Sequence, residues 1–576
     1  MINTKFGKYN ILILFIVLFL SFLSFAYLEN TNFFAIDTSY VGIQDGNIDL
    51  QGLLYKPASV SSSNPAPGIV LAHGIANSKE VVSGYALELA KRGFVALALD
   101  EVAHGNSGGN LLTARTNDPS LGVSSAVNWL QKQNFILNNS IGVIGHSMGA
   151  GAVLSASLNS GTIKSTILIG GGVNGTLTES SGMNDTTPNN LLIIIGQFDV
   201  LFNIPQLKSD SGLQSVFNTS SEIQEDTLYG SFSDSTAREL YTIPATHLFE
   251  VENPDAIATI TDWLSKSLDF TPNNQNGDYS SFFLRDISLI CSFICFVILV
   301  LLFSRILIQK LNLKKKDLSL EFQQISRGNY LLLGLSWSIL SLILFMPSQI
   351  IGSIIIFPPL IFGSFFAFWH LLTAIGAFLI LVLYKKRKYI SYNLKLFLKS
   401  VIDNKEFILF AIGVFAGIYI ITVFIEEFLH LNFKLFIPVL NEIGSADRII
   451  IFFMILPYTL LFFFFQNIYY YYLSDYKDYS SKTTLLLQIT LLEGPFIVIL
   501  AIFYLPIFLA SIVLIKGTTG FFTEFLVPTT AVFIITTVIN WFFYRETENI
   551  TIGTVLNALL VALTISSLFP VVQTFF

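Results

Sequence analysis

The chain changes its pattern of apolar and polar residues near residue 286. Over residues 40–270, short apolar runs alternate with polar and amphipathic segments. From residue 287 onward, long apolar runs are separated by short and mostly basic connectors. Runs of this second kind are long enough to cross the roughly 30 Å hydrocarbon core of a bilayer. The pattern therefore predicts a globular domain over 40–270, a linker over 271–286, and an all-α transmembrane domain of about eight helices over 287–576.

Strand-like and helix-like segments alternate along the globular part. The strand-like runs are rich in β-branched residues, and the helix-like segments have helical spacing of apolar positions. This alternation predicts an α/β fold, a doubly wound and mostly parallel sheet with helices on both faces. Ligands bind such sheets beyond the carboxyl ends of the strands. The predicted strands are Ile48–Tyr55, Gly68–Ala72, Phe94–Leu99, Ile141–Ile144, Ile163–Ile169 and Leu191–Ile195, and the predicted helices are Ser78–Arg92, Leu121–Gln133 and Asp255–Leu268.

Residues 1–29 carry Lys5 and Lys8, followed by an apolar run from Ile11 to Leu28. A positive start before an apolar run is typical of a secretory signal peptide and also of a retained membrane anchor. The length of the run favours the anchor. Both alternatives place residues 30–285 outside the cytoplasm, because the positive end stays inside.

The basic connectors of the second part predict the same orientation. Lys314–Lys316 follows the first apolar span, and a second cluster, Lys385–Lys388, follows the third. Because such clusters stay on the cytoplasmic side, Asp286 is predicted to lie outside. The chain is thus predicted to be a multi-pass protein of the cell membrane with an extracytoplasmic globular domain. The predicted spans are Ile287–Gln309, Tyr330–Phe357, Leu360–Tyr384, Phe407–Phe424, Ile449–Tyr472, Leu485–Ile515, Gly520–Tyr544 and Ile552–Pro570.

Composition narrows the classes of partner. Only 12% of the residues are charged, the formal net charge is -7, and no stripe of basic and aromatic residues is present. These features argue against a nucleic-acid partner. Cys291 and Cys295 lie four residues apart in one apolar run, which excludes a disulfide framework in the globular part.

A nucleophile elbow stands at the centre of the globular part. The apolar run that begins at Ile141 ends in Gly145-His146-Ser147-Met148-Gly149, and small residues follow it. In this G-x-S-x-G pattern, a sharp turn from strand to helix lifts the serine hydroxyl clear of the sheet. Glycines flank the serine because the turn is strained and leaves no room for a side chain. Ser147 is therefore the candidate nucleophile.

A serine hydroxyl needs a base to take its proton and an acid to orient that base. The chain has six histidines. His370 and His430 lie in the membrane half, while His73 and His104 each precede a glycine at a strand end, where they brace loops. His146 lies inside the elbow and is expected to point away from the hydroxyl. His247, between a strand-like run and the last helix, remains as the candidate base.

The acid is expected between Ser147 and His247 in the chain. Asp199 directly follows the buried strand Leu191–Ile195 through a short turn, and a strand end fixes a carboxylate in space better than a polar loop does. Asp199 is therefore the candidate acid. The other carboxylates considered in this interval are Glu179, Asp185, Asp210, Asp226 and Asp234.

Acyl transfer also needs two backbone N–H groups directed at the developing oxyanion. Met148, directly after the nucleophile, is predicted to supply one of them, and Ile75, after His73-Gly74, the other. The glycine-rich loop Asp100–Gly108 lacks the spacing of a phosphate cradle and is interpreted as bracing of the sheet. No metal or cofactor is predicted.

Residues 40–270 resemble an α/β-hydrolase, in particular the dienelactone-hydrolase and serine-peptidase-like branches. The resemblance implies hydrolysis of a carboxylic ester, thioester or peptide through an acyl-enzyme, on a small-molecule or lipid-like substrate. Only a short stretch, Gly171–Asn190, stands where lipase-like members insert a lid, so any cover must come from Leu201–Ser235 or from the membrane domain. The motifs that carry the resemblance are the His73-Gly74 loop, Asp100-x-x-x-His-Gly-x-Ser-x-Gly, Gly-His-Ser147-Met-Gly-Ala-Gly, Gly196-x-x-Asp199 and the late His247.

Two carboxylates in the membrane half, Glu493 and Glu524, admit two interpretations. A carboxylate at membrane depth is costly and usually faces a cavity or a partner, but both residues could instead lie near the interfaces. The sequence Glu493-Gly494-Pro495 interrupts the span 485–515 and predicts a broken helix there. These features support an alternative function, a transport or sensing protein whose hydrolase-like domain binds a ligand without turning it over.

Overall fold

The computed structural model describes residues 5–173, 182–274, 277–313, 326–387, 394–435, 437–474 and 481–575. The predicted cytoplasmic cluster Lys314–Lys316 and the last residue of the second cluster, Lys388, lie outside these residues.

An eight-stranded sheet forms the centre of the globular part, in the order β1-β2-β4-β3-β5-β6-β7-β8. Strands β1 and β2 form an antiparallel hairpin that pairs Ile36 with Pro57 and closes at Asp45 and Ile48. β2 is also antiparallel to β4, and all pairs from β4 across to β8 are parallel. The predicted mostly parallel α/β sheet is confirmed, with two added edge strands, β1 and β8; β8 corresponds to the strand-like run before His247. The strands are β1 Ile36–Asp45, β2 Ile48–Pro57, β3 Ala66–Ala72, β4 Val95–Leu99, β5 Ile136–His146, β6 Ile163–Ile169, β7 Leu191–Gly196 and β8 Arg238–Ile243.

Helices cover both faces of this sheet because its central strands are apolar on both sides. Ile69 and Leu71 of β3 pack in one buried cluster with two of the helices, α2 and α8. Val70 of the same strand packs in the other cluster with α4 and α5. Successive residues of a strand point to opposite faces, so a continuous apolar run buries both faces. The helices of this part are α1 Lys5–Asn30, α2 Lys79–Lys91, α3 Leu111–Asn117, α4 Val123–Gln131, α5 Met148–Leu158, α6 Ile204–Ser209, α7 Ser211–Val216 and α8 Pro254–Ser267, with a 3-10 helix over His247–Glu252.

Long apolar helices form the second part of the chain. In the described residues, eight helices are long and apolar enough to cross a membrane: the N-terminal helix and seven helices of the second part. One bent pair in the second part passes the same test when it is taken together. This set is compatible with a multi-pass membrane protein. The elements are α9 Phe282–Lys310, α10 Arg327–Ile354, α11 Gly363–Lys386, α12 Leu394–Ile402, α13 Lys405–Leu429, β9 Phe433–Leu435, β10 Ile437–Leu440, α14 Ala446–Ser474, α15 Ser481–Leu492, α16 Gly494–Ala510, α17 Gly517–Glu524, α18 Leu526–Thr547 and α19 Thr551–Leu568.

Two of the predicted spans are divided. Helices α15 and α16 meet at Glu493 with a bend of 60°, at the place where the sequence predicts a broken helix. The predicted span Gly520–Tyr544 is divided between α17 and α18, which meet at Phe525. The N-terminal helix α1 packs along α9, where the ring of Phe19 stacks on that of Phe296 at 5.7 Å.

The sheet part and the helical part are joined by hydrogen bonds and buried side chains. The N–H of Leu111 donates to the carbonyl of Val571 at 2.9 Å, close to the last described residue. The guanidinium of Arg448, in α14, donates to the carbonyl of Ala103 at 3.0 Å. Leu111 and Ala103 lie in the segment that follows β4, at the carboxyl edge of the sheet, so this edge faces the helical part.

Candidate functional site

The elbow places Ser147 between β5, which ends at His146, and α5, which begins at Met148. Ser147 has a φ of 54°, in the region that side chains rarely adopt, and its N–H donates to the carbonyl of Ile169 at 2.8 Å. A Cβ on Gly149 would stand 2.5 Å from the carbonyl oxygen of His73. Glycine is therefore required where the elbow crosses the neighbouring strand, and this close crossing holds the strained serine in place.

The structure brings the three predicted side chains into one hydrogen-bonded chain. The Oγ of Ser147 lies 2.9 Å from Nε2 of His247, and Nδ1 of His247 lies 2.8 Å from Oδ2 of Asp199. His247 and Asp199 are buried, and Ser147 is half-buried. An ionised carboxylate only accepts hydrogen bonds, so Nδ1 carries a proton and Nε2 is free to accept the proton of the serine.

The charges of Asp199 and His247 stabilise each other. Burial works to raise the pKa of Asp199, but the hydrogen bond and the charge of His247 outweigh it and hold this pKa below its ordinary value. Burial likewise works to lower the pKa of His247, and the hydrogen bond and the charge of Asp199 raise it above its ordinary value. The N–H of Leu201 donates to Oδ1 of Asp199 at 2.6 Å and fixes the carboxylate at the end of its strand. The pair thus favours a protonated imidazole beside an ionised acid, the state that a general base reaches during acyl transfer.

Sequence reasoning missed a second buried acid, Glu250, at this site. Its Oε1 accepts the N–H of Gly196 at 2.7 Å, and its Oε2 lies 3.6 Å from Nδ1 of His247. Burial raises the pKa of Glu250 well above its ordinary value, and the charge of Asp199 raises it further. A protonated Glu250 can donate a hydrogen bond to the Asp199 carboxylate, and this interaction helps to lower the pKa of Asp199.

His146 supports the segment that carries the base. Its Nε2 lies 3.1 Å from the carbonyl oxygen of His247 and 3.2 Å from Oε2 of Glu250. Burial lowers the pKa of His146 to about 3, so the ring is neutral. A neutral ring with its proton on Nε2 donates to the carbonyl oxygen of His247 and ties the elbow to the His247 segment. The expectation that His146 points away from the serine hydroxyl agrees with these contacts.

Two glycines make room for Glu250. A Cβ on Gly170, which has a φ of 53° after β6, would clash with the Glu250 carboxylate and stand 3.1 Å from Nδ1 of His247. A Cβ on Gly196 would stand 3.0 Å from Oε1 of Glu250. The only sequence signal for Glu250 was its position three residues after His247, because the cradle formed by the two glycines exists only in the folded sheet.

Ligand-type atoms of His146, His247 and Glu250 all lie within 4.8 Å of one another, a spacing at which such groups can hold a metal ion. Both ring nitrogens of His247 already face partners, Ser147 on one side and Asp199 on the other. A metal at this place would have to displace the acid from the base. The cluster therefore fits a role in positioning the base better than a role in metal binding.

The predicted bracing residues hold the loops around the site. Nδ1 of His73 lies 2.7 Å from the carbonyl oxygen of Gly74, and the N–H of Glu101 donates to Nε2 of His73 at 3.3 Å. The buried Asp100 carboxylate pairs with Nζ of Lys79 at 2.8 Å and accepts the N–H of Asn106 at 2.9 Å. These contacts fix the loop after β3, on which the predicted oxyanion residue Ile75 lies.

A small pocket surrounds the serine. The predicted oxyanion donors flank it, since Ile75 lines the pocket and Met148 opens the helix directly after Ser147. Three of the lining residues belong to the membrane half. The lining residues are Gly74, Ile75, Asn77, His146, Ser147, His247, Leu248, Phe521, Glu524 and Phe525.

Helix α17 covers this pocket. The ring of Phe521 packs edge-on to that of His247 at 5.7 Å, and Oε2 of Glu524 accepts the N–H of Leu248 at 2.8 Å. The N–H of Gly517 donates to the carbonyl of Val200, beside the acid, at 2.6 Å. Of the two sources of cover that the sequence left open, the membrane half supplies the residues over the pocket.

The two membrane-half carboxylates have partners. Glu524 lies over the candidate site, as described above. The buried Glu493 accepts the hydroxyl of Thr537 at 3.1 Å. His430, a histidine of the membrane half, contacts the hydroxyl of Thr38 through Nδ1 at 3.0 Å.

Comparison with known proteins gives a family match for part of the chain. Residues 63–198 match the family model described as Serine aminopeptidase, S33. The uncharacterized protein YcjY of Escherichia coli (strain K12) is 31% identical over 124 residues, a match that covers 20% of this chain and 39% of that relative. The chain thus spans about two-fifths of the curated relative.

Solved structures that are similar to the chain cover its globular part. Dienelactone hydrolase from Anabaena variabilis ATCC 29413 has 18% sequence identity and a TM-score of 0.29, over 42% of this chain and 100% of that chain. The esterase Pf2001 of Pyrococcus furiosus has 19% identity and a TM-score of 0.30, over 41% of this chain and 95% of that chain. The sheet of the globular part has the strand order of an α/β-hydrolase, and the family match over residues 63–198 supports hydrolase activity.

Proposed function

We propose that this chain is a membrane-bound serine hydrolase that cleaves carboxylic ester or other acyl substrates through an acyl-enzyme. The observation that carries the proposal is the continuous hydrogen-bonded chain from Ser147 through His247 to Asp199 at a strained elbow. A strained serine conformation costs of order 1–3 kcal/mol and persists where the surrounding structure enforces it. We further propose that the hydrolase domain lies outside the cytoplasm, as the basic clusters predict.

In the proposed mechanism, the Oγ of Ser147 attacks the carbonyl carbon of the substrate while Nε2 of His247 takes the hydroxyl proton. The N–H groups of Met148 and Ile75 stabilise the oxyanion of the tetrahedral intermediate. When the carbon–oxygen bond to the leaving group breaks, His247 returns the proton to the departing alkoxide and the acyl-enzyme remains. Water, activated by the same imidazole, then releases the acid and regenerates Ser147. Asp199 keeps Nδ1 protonated throughout and stabilises the imidazolium.

The test is covalent labelling with a fluorophosphonate probe in membranes that contain the full chain. Wild type should be labelled, and Ser147→Ala and His247→Ala should not, because the first lacks the nucleophile and the second the base. Ser155→Ala, a half-buried serine on the helix that follows the elbow, is the matched control and should be labelled like wild type. Hydrolysis of p-nitrophenyl butyrate should follow the same pattern. Folded wild type that is neither labelled nor active would refute the proposal.

A further inference from the structure

A second and larger cavity lies beside the catalytic pocket, between the hydrolase domain and helices α9 and α16. Its volume is about 720 Å³, within the range of roughly 300–1,000 Å³ that is typical of small-molecule sites. The hydrolase domain contributes the segment around Thr246 and Phe249, which directly flanks the catalytic histidine. Thr246 and Phe249 line this cavity, whereas His247 and Leu248, between them in the chain, line the catalytic pocket. The backbone of residues 246–249 therefore separates the two spaces.

The wall of the cavity is mostly apolar and reaches the surface that would face lipid; its charged residues, Glu252, Asp286 and Lys434, pair with one another. Phe508 on α16 is 79% exposed, and Ile287 on α9 is 56% exposed. Ile290, one turn further along α9, is half-buried and also lines the cavity. Both helices belong to candidate membrane-spanning segments. Exposed apolar side chains on such helices contact acyl chains, so the mouth of the cavity lies at the bilayer and admits a ligand from its hydrocarbon region.

The inner end of the cavity carries a cluster of three polar side chains. Thr246 and Tyr504 line the cavity, and Glu524, which lines the serine pocket, interacts with Thr246. Thr246 also interacts with Tyr504, but Thr246 Oγ1, Tyr504 Oη and Glu524 Oε1 make no well-formed hydrogen bond among the residues that the structure describes, although Thr246 and Glu524 are buried. Buried polar atoms left unpaired are costly, and such groups in a native structure mark a place for a polar partner. The three groups therefore form a polar junction between the cavity and the catalytic pocket.

We infer that this cavity binds the apolar chain of a membrane-derived ester, with the hydrogen-bonding atoms that flank the ester held at the junction of Thr246, Tyr504 and Glu524. The inference rests on the proposed hydrolase function and names its substrate class, a long-chain amphiphilic ester. It accounts for the cover over Ser147, because an ester that enters from the bilayer beneath α17 has no need of an opening to water. It also accounts for a mouth made of exposed isoleucine and phenylalanine.

The test compares long-chain with short-chain esters after the cavity is filled. Ile287→Trp/Ile290→Trp places two indoles at the mouth. The matched control, Ile294→Trp/Ile298→Trp, makes the same replacements on the same helix at positions that do not line the cavity. The full chain is reconstituted in lipid nanodiscs, and kcat/KM is measured for p-nitrophenyl palmitate and p-nitrophenyl butyrate. A short-chain fluorophosphonate is applied to every sample to report the folded, reactive serine.

The expected result is that the cavity variant lowers the palmitate-to-butyrate ratio of kcat/KM at least tenfold, while the control variant keeps the wild-type ratio. An unchanged ratio in a cavity variant that still labels would overturn the inference. Equal losses on both esters would also overturn it, because they would show that the cavity holds a structural lipid rather than the substrate. If the fluorophosphonate does not label the double variant, the same comparison is made with Ile287→Trp alone, since this exposed side chain can be enlarged without entering the core. Absence of labelling and hydrolysis in wild type would instead refute the proposed function.

Discussion

Replacing Gly170 with alanine should reduce catalysis although none of the three side chains Ser147, His247 and Asp199 is changed. The backbone at Gly170 has a φ of 53°, and an added Cβ would stand 2.9 Å from the carboxyl carbon of Glu250 and 3.1 Å from Nδ1 of His247. Ordinary contacts of a Cβ begin at 3.4 Å, and Oε2 of Glu250 would be even closer to the added Cβ than the carboxyl carbon is. The Glu250 carboxylate must therefore move by about 1 Å, and His247 by a few tenths of an ångström. A misplacement of about 1 Å at the reacting groups can cost roughly 100-fold in rate, so we expect a loss of kcat of up to about 100-fold.

The assay is kcat for p-nitrophenyl butyrate together with thermal unfolding in detergent. Alanine in the left-handed region costs roughly 1–2 kcal/mol, so a fall in thermal stability is expected as well. Gly46→Ala separates the two effects, because Gly46 has a φ of 58° and an added Cβ there meets nothing within 4 Å. This control should lose stability to a similar extent and keep its kcat.

A double variant tests whether Glu250 transmits the effect. Glu250→Ala removes the carboxylate that Gly170→Ala would strike, so Gly170→Ala/Glu250→Ala should be no slower than Glu250→Ala alone. If Gly170→Ala is folded and keeps its kcat within about twofold, the argument that the glycine cradle positions His247 is wrong.

Three further predictions concern the base, the contact between the two parts and the cover. Because only neutral His247 accepts a proton, activity should be present above the raised pKa of His247 and be lost as the pH falls through this pKa. In a pH–rate profile, Asp199→Asn should move this loss of activity to lower pH and reduce kcat by roughly 10⁴-fold. Lys434 is buried, and the side chain of its partner Glu252 is 10% exposed. Lys434→Met leaves the Glu252 carboxylate without this ion pair and should destabilise the protein by about 3–5 kcal/mol, whereas Lys434→Met/Glu252→Gln should recover part of this loss in thermal unfolding. Phe521→Ala should open the pocket beside His247, so that bulky water-soluble fluorophosphonates label the serine faster than in wild type; unchanged labelling rates would show that this ring does not restrict access.

The candidate residues could be found from the sequence because each has a local signal. Glycines around Ser147 are required by one sharp turn, Asp199 stands at the end of an apolar strand, and histidines are scarce enough for elimination to identify His247. Glu250 has no such signal, since its role depends on space left by glycines on two neighbouring strands. Tertiary packing of this kind leaves no pattern along one stretch of chain.

Most strands of the sheet could also be predicted from local signals, but the prediction was incomplete. Apolar runs such as Leu191–Ile195 are buried on both faces and stand out clearly. The edge strand Ile36–Asp45 is half-exposed along most of its length, so its apolar residues form no continuous run and the sequence did not predict it. The source of the cover remained open for a third reason. It depends on contacts between Phe521 and His247, which lie far apart in the chain.

The position of α17 over the serine has a consequence for biosynthesis. Ser147, Asp199 and His247 all leave the ribosome several hundred residues before Phe521, and the segment that pairs Val571 with Leu111 emerges later still. The globular part is thus synthesised before the helix that covers Ser147. Under the proposed function, we expect a prematurely terminated chain that folds to act on water-soluble esters. Under the inference drawn from the second cavity, completion of the polypeptide would then restrict the enzyme to substrates that approach through the membrane.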